Sequence, residues 1–133
     1  MTSALRVVAA AVVHDGLTLA CRRASGRAAA GKWEFPGGKV EPGEGPRVAL
    51  VRELREELGI EVEILELIDR SSTRVGEVTI DLSTYAARLR TRRPEQSTDH
   101  DLLGWFTPAE LPQLDWAAPD LPAVSALSGK EVH

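Results

Sequence analysis

One cysteine, Cys21, stands in 133 residues, so the chain cannot close an internal disulfide. Its apolar neighbours point to a small buried hydrophobe in place of a reactive thiol, and a reducing cytoplasm is the compartment this fits. Long hydrophobic runs are also missing. Residues 7–13 are too few to cross a bilayer and, followed at once by His14-Asp15-Gly16, lack the layout of a signal peptide, so no membrane partner is expected. A basic surplus is missing too. The formal net charge of −4 leaves no patch to neutralise a polymer of phosphates, which argues against nucleic acid as partner. The length is close to the commonest domain size and 43% hydrophobic content is enough for one core, so residues 1–133 are expected to form a single domain.

What the chain has is a segment at 38–60 reading GKVEPGEGPRVALVRELREELGI, a glycine loop feeding a helix. At about 100° per residue, Glu53, Glu56 and Glu57 fall within a wedge of roughly 100°, with Val51, Leu54 and Leu58 on the other side. Like charges three and four residues apart repel by a few tenths of a kcal/mol per pair, roughly, in an exposed helix. An ordinary exposed face with Arg52 as partner to Glu56 would account for the helix alone. A cluster of oxygen donors also suits Mg2+ or Mn2+, hard cations usually completed by substrate phosphates. A phosphate ester is then the expected substrate.

Periodicity and turn chemistry supply the rest of the plan. Residues 5–13 and 17–21 read as a hairpin closed by Asp15-Gly16, and 21–30 have loop composition. Pro46 marks the first turn of the acidic helix. Residues 62–68 read as a strand, Val78, Ile80 and Leu82 alternate with polar neighbours, and 102–106 read as a further strand. Thr107-Pro108-Ala109-Glu110 has the form of a capping box opening a short helix. A last helix is expected near Asp120, and 128–133 form a polar tail. Strands, helix, strands, helix in this order predict an α/β fold with a mixed sheet between helices.

The spacing of Gly38, Glu44 and Arg52-Glu53-Leu54-Arg55-Glu56-Glu57-Leu58-Gly59-Ile60 resembles the Nudix box, G-x5-E-x7-R-E-U-x-E-E-x-G-U with U aliphatic. Every defined position is filled. Residues 32–41, KWEFPGGKVE, and the Trp105 region are similar to the MutT-like branch, which includes CTP pyrophosphohydrolases. The resemblance implies a Nudix α/β/α sandwich. It also implies a magnesium-dependent hydrolase, with Mn2+ able to substitute, that releases a nucleoside monophosphate and pyrophosphate. The implied partner is a free nucleotide and the implied state is a monomer or homodimer.

Residue by residue, the resemblance implies that Glu53, Glu56, Glu57 and the Gly37 carbonyl hold metal, with Asp99 a further candidate ligand or base, or else a solvated loop residue. Glu53 is the implied base, Arg52 orients the glutamates, and Glu44 supports the metal side. His100 is expected to be a polar loop residue. Arg23 and Lys39 are candidates to meet phosphates or else solvated charges, while Phe35 and Leu82 line a base pocket or belong to the core. Trp33, Trp105 and Trp116 are expected to pack. Asp120 either accepts a hydrogen bond from the amino group of cytosine or caps the last helix; protonated, it could donate to oxidised guanine. These readings favour (d)CTP or 5-methyl-dCTP, with 8-oxo-dGTP as the alternative. No proline occurs between Pro46 and Pro94, which disfavours ADP-ribose pyrophosphatase. A catalytically silent nucleotide-binding module would be expected to lose box glutamates, and none is lost.

Overall fold

In the computed structural model, residues 3–26 and 29–129 are described. Residues 27–28 of the expected loop and 130–133 of the expected tail lie outside them. β1 (Ser3–His14) and β2 (Leu17–Arg23) form the expected hairpin, turning at Asp15 (φ 53°) and Gly16 (φ 75°). Two left-handed residues in succession are what a tight hairpin turn requires. Two short strands come next, β3 (Trp33–Glu34) and β4 (Gly37–Lys39), then α1 (Pro46–Leu58). β5 (Val62–Val75) and β6 (Val78–Leu89) make a long hairpin, β7 is His100–Phe106, and α2 is Leu121–Gly129.

These strands form one mixed sheet. β1 runs parallel to β6 from Ser3 to Val13, β2 and β4 join β1 antiparallel, and β5 joins β6 antiparallel. β7 pairs with the far side of β2. Residues of a strand alternate between faces, and both faces of β1 are covered. Val8, Ala10 and Val12 pack with Leu50, Leu54 and Leu58 of α1. Ala9 and Ala11 pack with Phe35, Trp116, Ala123 and Val124 on the α2 side. Burial on both sides is why β1 reads as a continuous apolar run, and the layering is the expected α/β/α sandwich.

Several boundaries differ from the sequence reading. β2 continues two residues past Cys21 because β7 and β3 flank it there, and β5 runs on to Val75 because β6 pairs with it to its end, across two register shifts near Leu67. The glycine-rich approach to α1 was expected to be loop, yet it holds β3 and β4. Thr107 does receive a capping bond, its N–H donating to Glu110 Oε1 at 2.8 Å, but the chain then makes a single 3-10 turn at Leu111–Gln113 in place of an α-helix.

The largest correction concerns α1. Its buried residues are Ala49, Leu50, Leu54 and Leu58, and Val51 is only half-buried. At about 100° per residue, Glu53 and Glu57 fall between Ala49 and Leu54 around the axis. They therefore belong to the packed arc, with side-chain exposures of 22% and 7%, whereas Glu56 at 62% faces solvent. Gly59 ends the helix in a left-handed conformation (φ 66°), its N–H donating to the Arg55 carbonyl.

Leu54 is fully buried between α1 and the sheet. Leu54→Ala should lower the unfolding free energy by about 2–5 kcal/mol, measured by urea denaturation; a loss well under about 1 kcal/mol would show that α1 does not carry the core on this face.

Candidate active site

The acidic face is organised around one guanidinium. Arg52 grips Glu44 with two bonds, Nε to Oε2 at 2.8 Å and Nη2 to Oε1 at 2.9 Å. The same group reaches Glu53 Oε1 at 2.9 Å, Glu56 Oε2 at 3.3 Å and the Lys39 carbonyl at 3.2 Å. Glu44 is held down to a pKa of about 2, chiefly by its Arg52 bonds, and these carboxylates push the guanidinium further up. Glu44 also accepts the Glu41 N–H at 3.1 Å, which closes the loop ahead of the helix.

Glycine makes room for this arrangement at two adjacent positions. A Cβ on Gly38 would overlap the Glu53 carboxylate, and one on Gly37 would overlap the Val8 carbonyl and Ala9. β4 therefore passes between β1 and Glu53 as bare backbone.

Behind Glu57 lies a buried chain of polar groups. His100, expected in a loop, is instead the first residue of β7 and is buried. Its Nε2 stands 2.7 Å from Glu34 Oε2, and its Nδ1 stands 2.8 Å from Ser97 Oγ and 3.0 Å from Glu57 Oε1. Burial alone would lower its pKa; the neighbouring carboxylates of Glu34 and Glu57 outweigh that and hold it up to about 9. Burial pushes Glu57 up, His100 pulls it back towards the ionised form, and Asp99 and Glu34 add repulsion. Asp99 is thus placed near Glu57, with its carbonyl accepting the Ala24 N–H at 3.3 Å.

A cavity of about 720 Å³ opens on the α2 face of the sheet. Arg23, Phe35, Lys39, Leu82 and Asp120, the five residues expected to meet substrate, all line it, together with Gly37 and Gly38. Arg23 does not extend freely into it, because Nη1 bonds both oxygens of Glu34 at 3.0 and 3.1 Å. Phe35 and Trp116 form one wall, ring centroids 4.7 Å apart. Trp116 thus lines the cavity as well as packing. Asp120 is positioned by backbone pairing: Trp33 N–H donates to the Asp115 carbonyl and Ala117 N–H to the Trp33 carbonyl, both at 2.9 Å. Its Oδ1 accepts the Phe35 N–H at 3.1 Å, so the carboxylate bonds the backbone linking β3 to β4 and not the helix it precedes. Burial raises its pKa to about 7.

Among the described residues, no group of three His, Cys, Asp or Glu side chains converges tightly enough to hold an ion as it stands. Arg52 draws Glu44, Glu53 and Glu56 to itself instead. The donors nonetheless suit a hard divalent cation: all are oxygens, Gly38 leaves the Glu53 carboxylate its space, and the buried Glu57 Oε1 is held by an ion-pair contact with His100 Nδ1 that falls short of hydrogen-bond geometry. His100 and Glu34 were not assigned to the site from the sequence. Only their position beside the box residues in the folded chain brings them in.

A family model described as "NUDIX domain" matches residues 4–127. The chain is 43% identical over 115 residues to a Mycobacterium tuberculosis protein provisionally named 8-oxo-dGTP diphosphatase 2, covering 86% of this chain and 81% of that one. It is 39% identical over 127 residues to the CTP pyrophosphohydrolase of Escherichia coli, covering 92% and 90%. Among solved structures, that of the E. coli ORF135 protein is similar with a TM-score of 0.82 and 38% identity, covering 98% of this chain and 93% of that one.

Carboxyl NMR titration should find Glu44 at a pKa of about 2. Because that value is depressed on folding, the stability it contributes is present above about pH 4.3 and is lost as pH falls towards 2. Arg52→Met should raise the Glu44 pKa towards the ordinary glutamate value of about 4.3, with the Glu41 N–H still holding it somewhat lower; an unmoved value would show that Arg52 is not what holds it.

Proposed function

The chain belongs to the Nudix hydrolase family. On that premise we propose that it is a Mg2+-dependent nucleoside triphosphate pyrophosphohydrolase, acting on (d)CTP or 5-methyl-dCTP in the cytoplasm. The observation that carries this reading is the shared wall between cavity and acids. Gly37, Gly38 and Lys39 line the cavity, and the Glu53 carboxylate packs against Gly38. A base seated beside Phe35, Leu82 and Asp120 would send its phosphates across this glycine strand towards the acidic helix. Lys39 stands on that path as a counter-charge.

Glu53, Glu56, Glu57 and the Gly37 carbonyl would hold the cation, with Asp99 as a further ligand. When bound, it would polarise the phosphoryl oxygens and lower the pKa of a water. Glu53 takes the proton from the attacking water as the new oxygen–phosphorus bond forms and the bond to the leaving group breaks. Arg52 keeps Glu53 oriented for this, and Glu44 keeps Arg52 in place. The products are a nucleoside monophosphate and pyrophosphate.

Asp120 is the candidate reader of the base. Its Oδ1 is engaged by the Phe35 N–H, leaving the other oxygen to accept from an amino group such as that of cytosine when ionised. The raised pKa favours a second reading, in which the protonated acid donates to oxidised guanine, and the relative from M. tuberculosis supports it. A silent nucleotide-binding module explains less, since every box position is retained.

With Mg2+, the wild-type protein should release pyrophosphate from dCTP. Glu53→Gln should cost about 10²–10⁴-fold in kcat, and Glu57→Gln should also lose activity. Absence of turnover on any of dCTP, 5-methyl-dCTP or 8-oxo-dGTP would favour the binding module.

Base preference should also track pH. Below about 7 Asp120 is protonated and above it ionised, so the ratio of dCTP to 8-oxo-dGTP turnover should rise as pH climbs through that value. Asp120→Asn should flatten the rise and shift the ratio. A ratio untouched by the substitution would remove Asp120 from base reading.

A further inference from the structure

Nothing in the Nudix box accounts for the buried imidazole at the start of β7. His100 is 8% exposed, yet it sits between two carboxylates from different layers of the site. Glu34 lines the nucleotide cavity and holds Arg23 there, whereas Glu57 belongs to the acidic helix. Glu34 and His100 are separated by 66 residues of sequence, and β2 brings them together by pairing with both β3 and β7.

Each ring nitrogen faces oxygen. Nε2 meets Glu34, and Nδ1 meets Ser97 Oγ and Glu57. A ring so placed spans two carboxylates and fixes the direction of each. Its absence would take away the contact that fixes the direction of the buried Glu57 carboxylate and leave that carboxylate free to rotate. Rotation spoils its aim as an oxygen donor. Glu57 Oε1, buried and 3.0 Å from His100 Nδ1, is the atom whose position would change.

We propose that His100 is a positioning residue that holds the Glu57 carboxylate aimed for a divalent cation, tying it through Glu34 and Arg23 to the wall of the nucleotide cavity. This rests on the reading of Glu57 as a metal ligand. The imidazole does not touch substrate. It acts through the two carboxylates it spans, as hydrogen-bonded partners of metal-binding side chains do elsewhere.

The test is Mn2+ binding to the protein without nucleotide, measured by electron paramagnetic resonance, for wild type, Glu57→Gln, His100→Leu and His100→Gln. Thermal unfolding of each identifies the folded fraction. His100→Leu should bind Mn2+ about 10–100-fold more weakly. His100→Gln, which restores a polar donor without the charge, should recover part of the loss. Turnover by the His100 variants should rise towards wild type as Mn2+ is raised, a rescue that a purely structural defect would not show. Unchanged or tighter Mn2+ binding in both folded His100 variants, with Glu57→Gln weakened, would overturn the role of His100 and leave the metal reading standing. If wild type and Glu57→Gln bind Mn2+ equally or not at all, both fail. Should His100→Leu not fold, the His100→Gln result decides alone.

Discussion

The structure depends on one guanidinium answering several carboxylates. Glu53, Glu56 and Glu57 crowd one stretch of helix, and two of them lie in its packed arc, where unpaired charge costs far more than on a solvated face. Arg52 meets Glu44, Glu53, Glu56 and the Lys39 carbonyl at once, which uses the planar fork and its five donors. A lysine ammonium has too few donors and the wrong geometry for this. Because its acceptors come from the loop before α1, from α1 and from β4, Arg52 also sets how the helix approaches the sheet.

β4 translates that charge arrangement into shape. It lies so close to β1 on one side and to Glu53 on the other that neither Gly37 nor Gly38 has space for a Cβ. The backbone separates an acidic pocket from an apolar cavity by a single strand. A molecule with a flat ring at one end and phosphates at the other matches both compartments. His100 links the same two compartments from behind, through Glu34 and Glu57.

Much of the fold was legible. The Asp15-Gly16 turn, the Pro46 start and Gly59 end of α1, and the apolar runs of β1, β5, β6 and β7 all rest on local rules of conformation and periodicity. β3 and β4 were not, because two- and three-residue strands in a glycine segment exist only through their partners in β1 and β2. The candidate site was half legible. Spacing picked out the glutamates and Arg52, yet helical geometry without neighbours assigned all three acids to the open face. His100 read as a loop residue for the same reason, since its partners are Glu34 and Glu57.

The sequence by itself determined the family and the hydrolase chemistry that goes with it, because the Nudix box is written in fixed local spacing around a single helix. It also determined the layered fold, through alternation and turn residues. Only the tertiary structure decided which acids are buried, that Asp120 bonds the Phe35 backbone 85 residues away and not its own helix, and that an imidazole bridges the cavity wall and the acidic helix. Burial and long-range pairing are properties of how the strands are ordered in the sheet, and spacing along the chain does not encode that order.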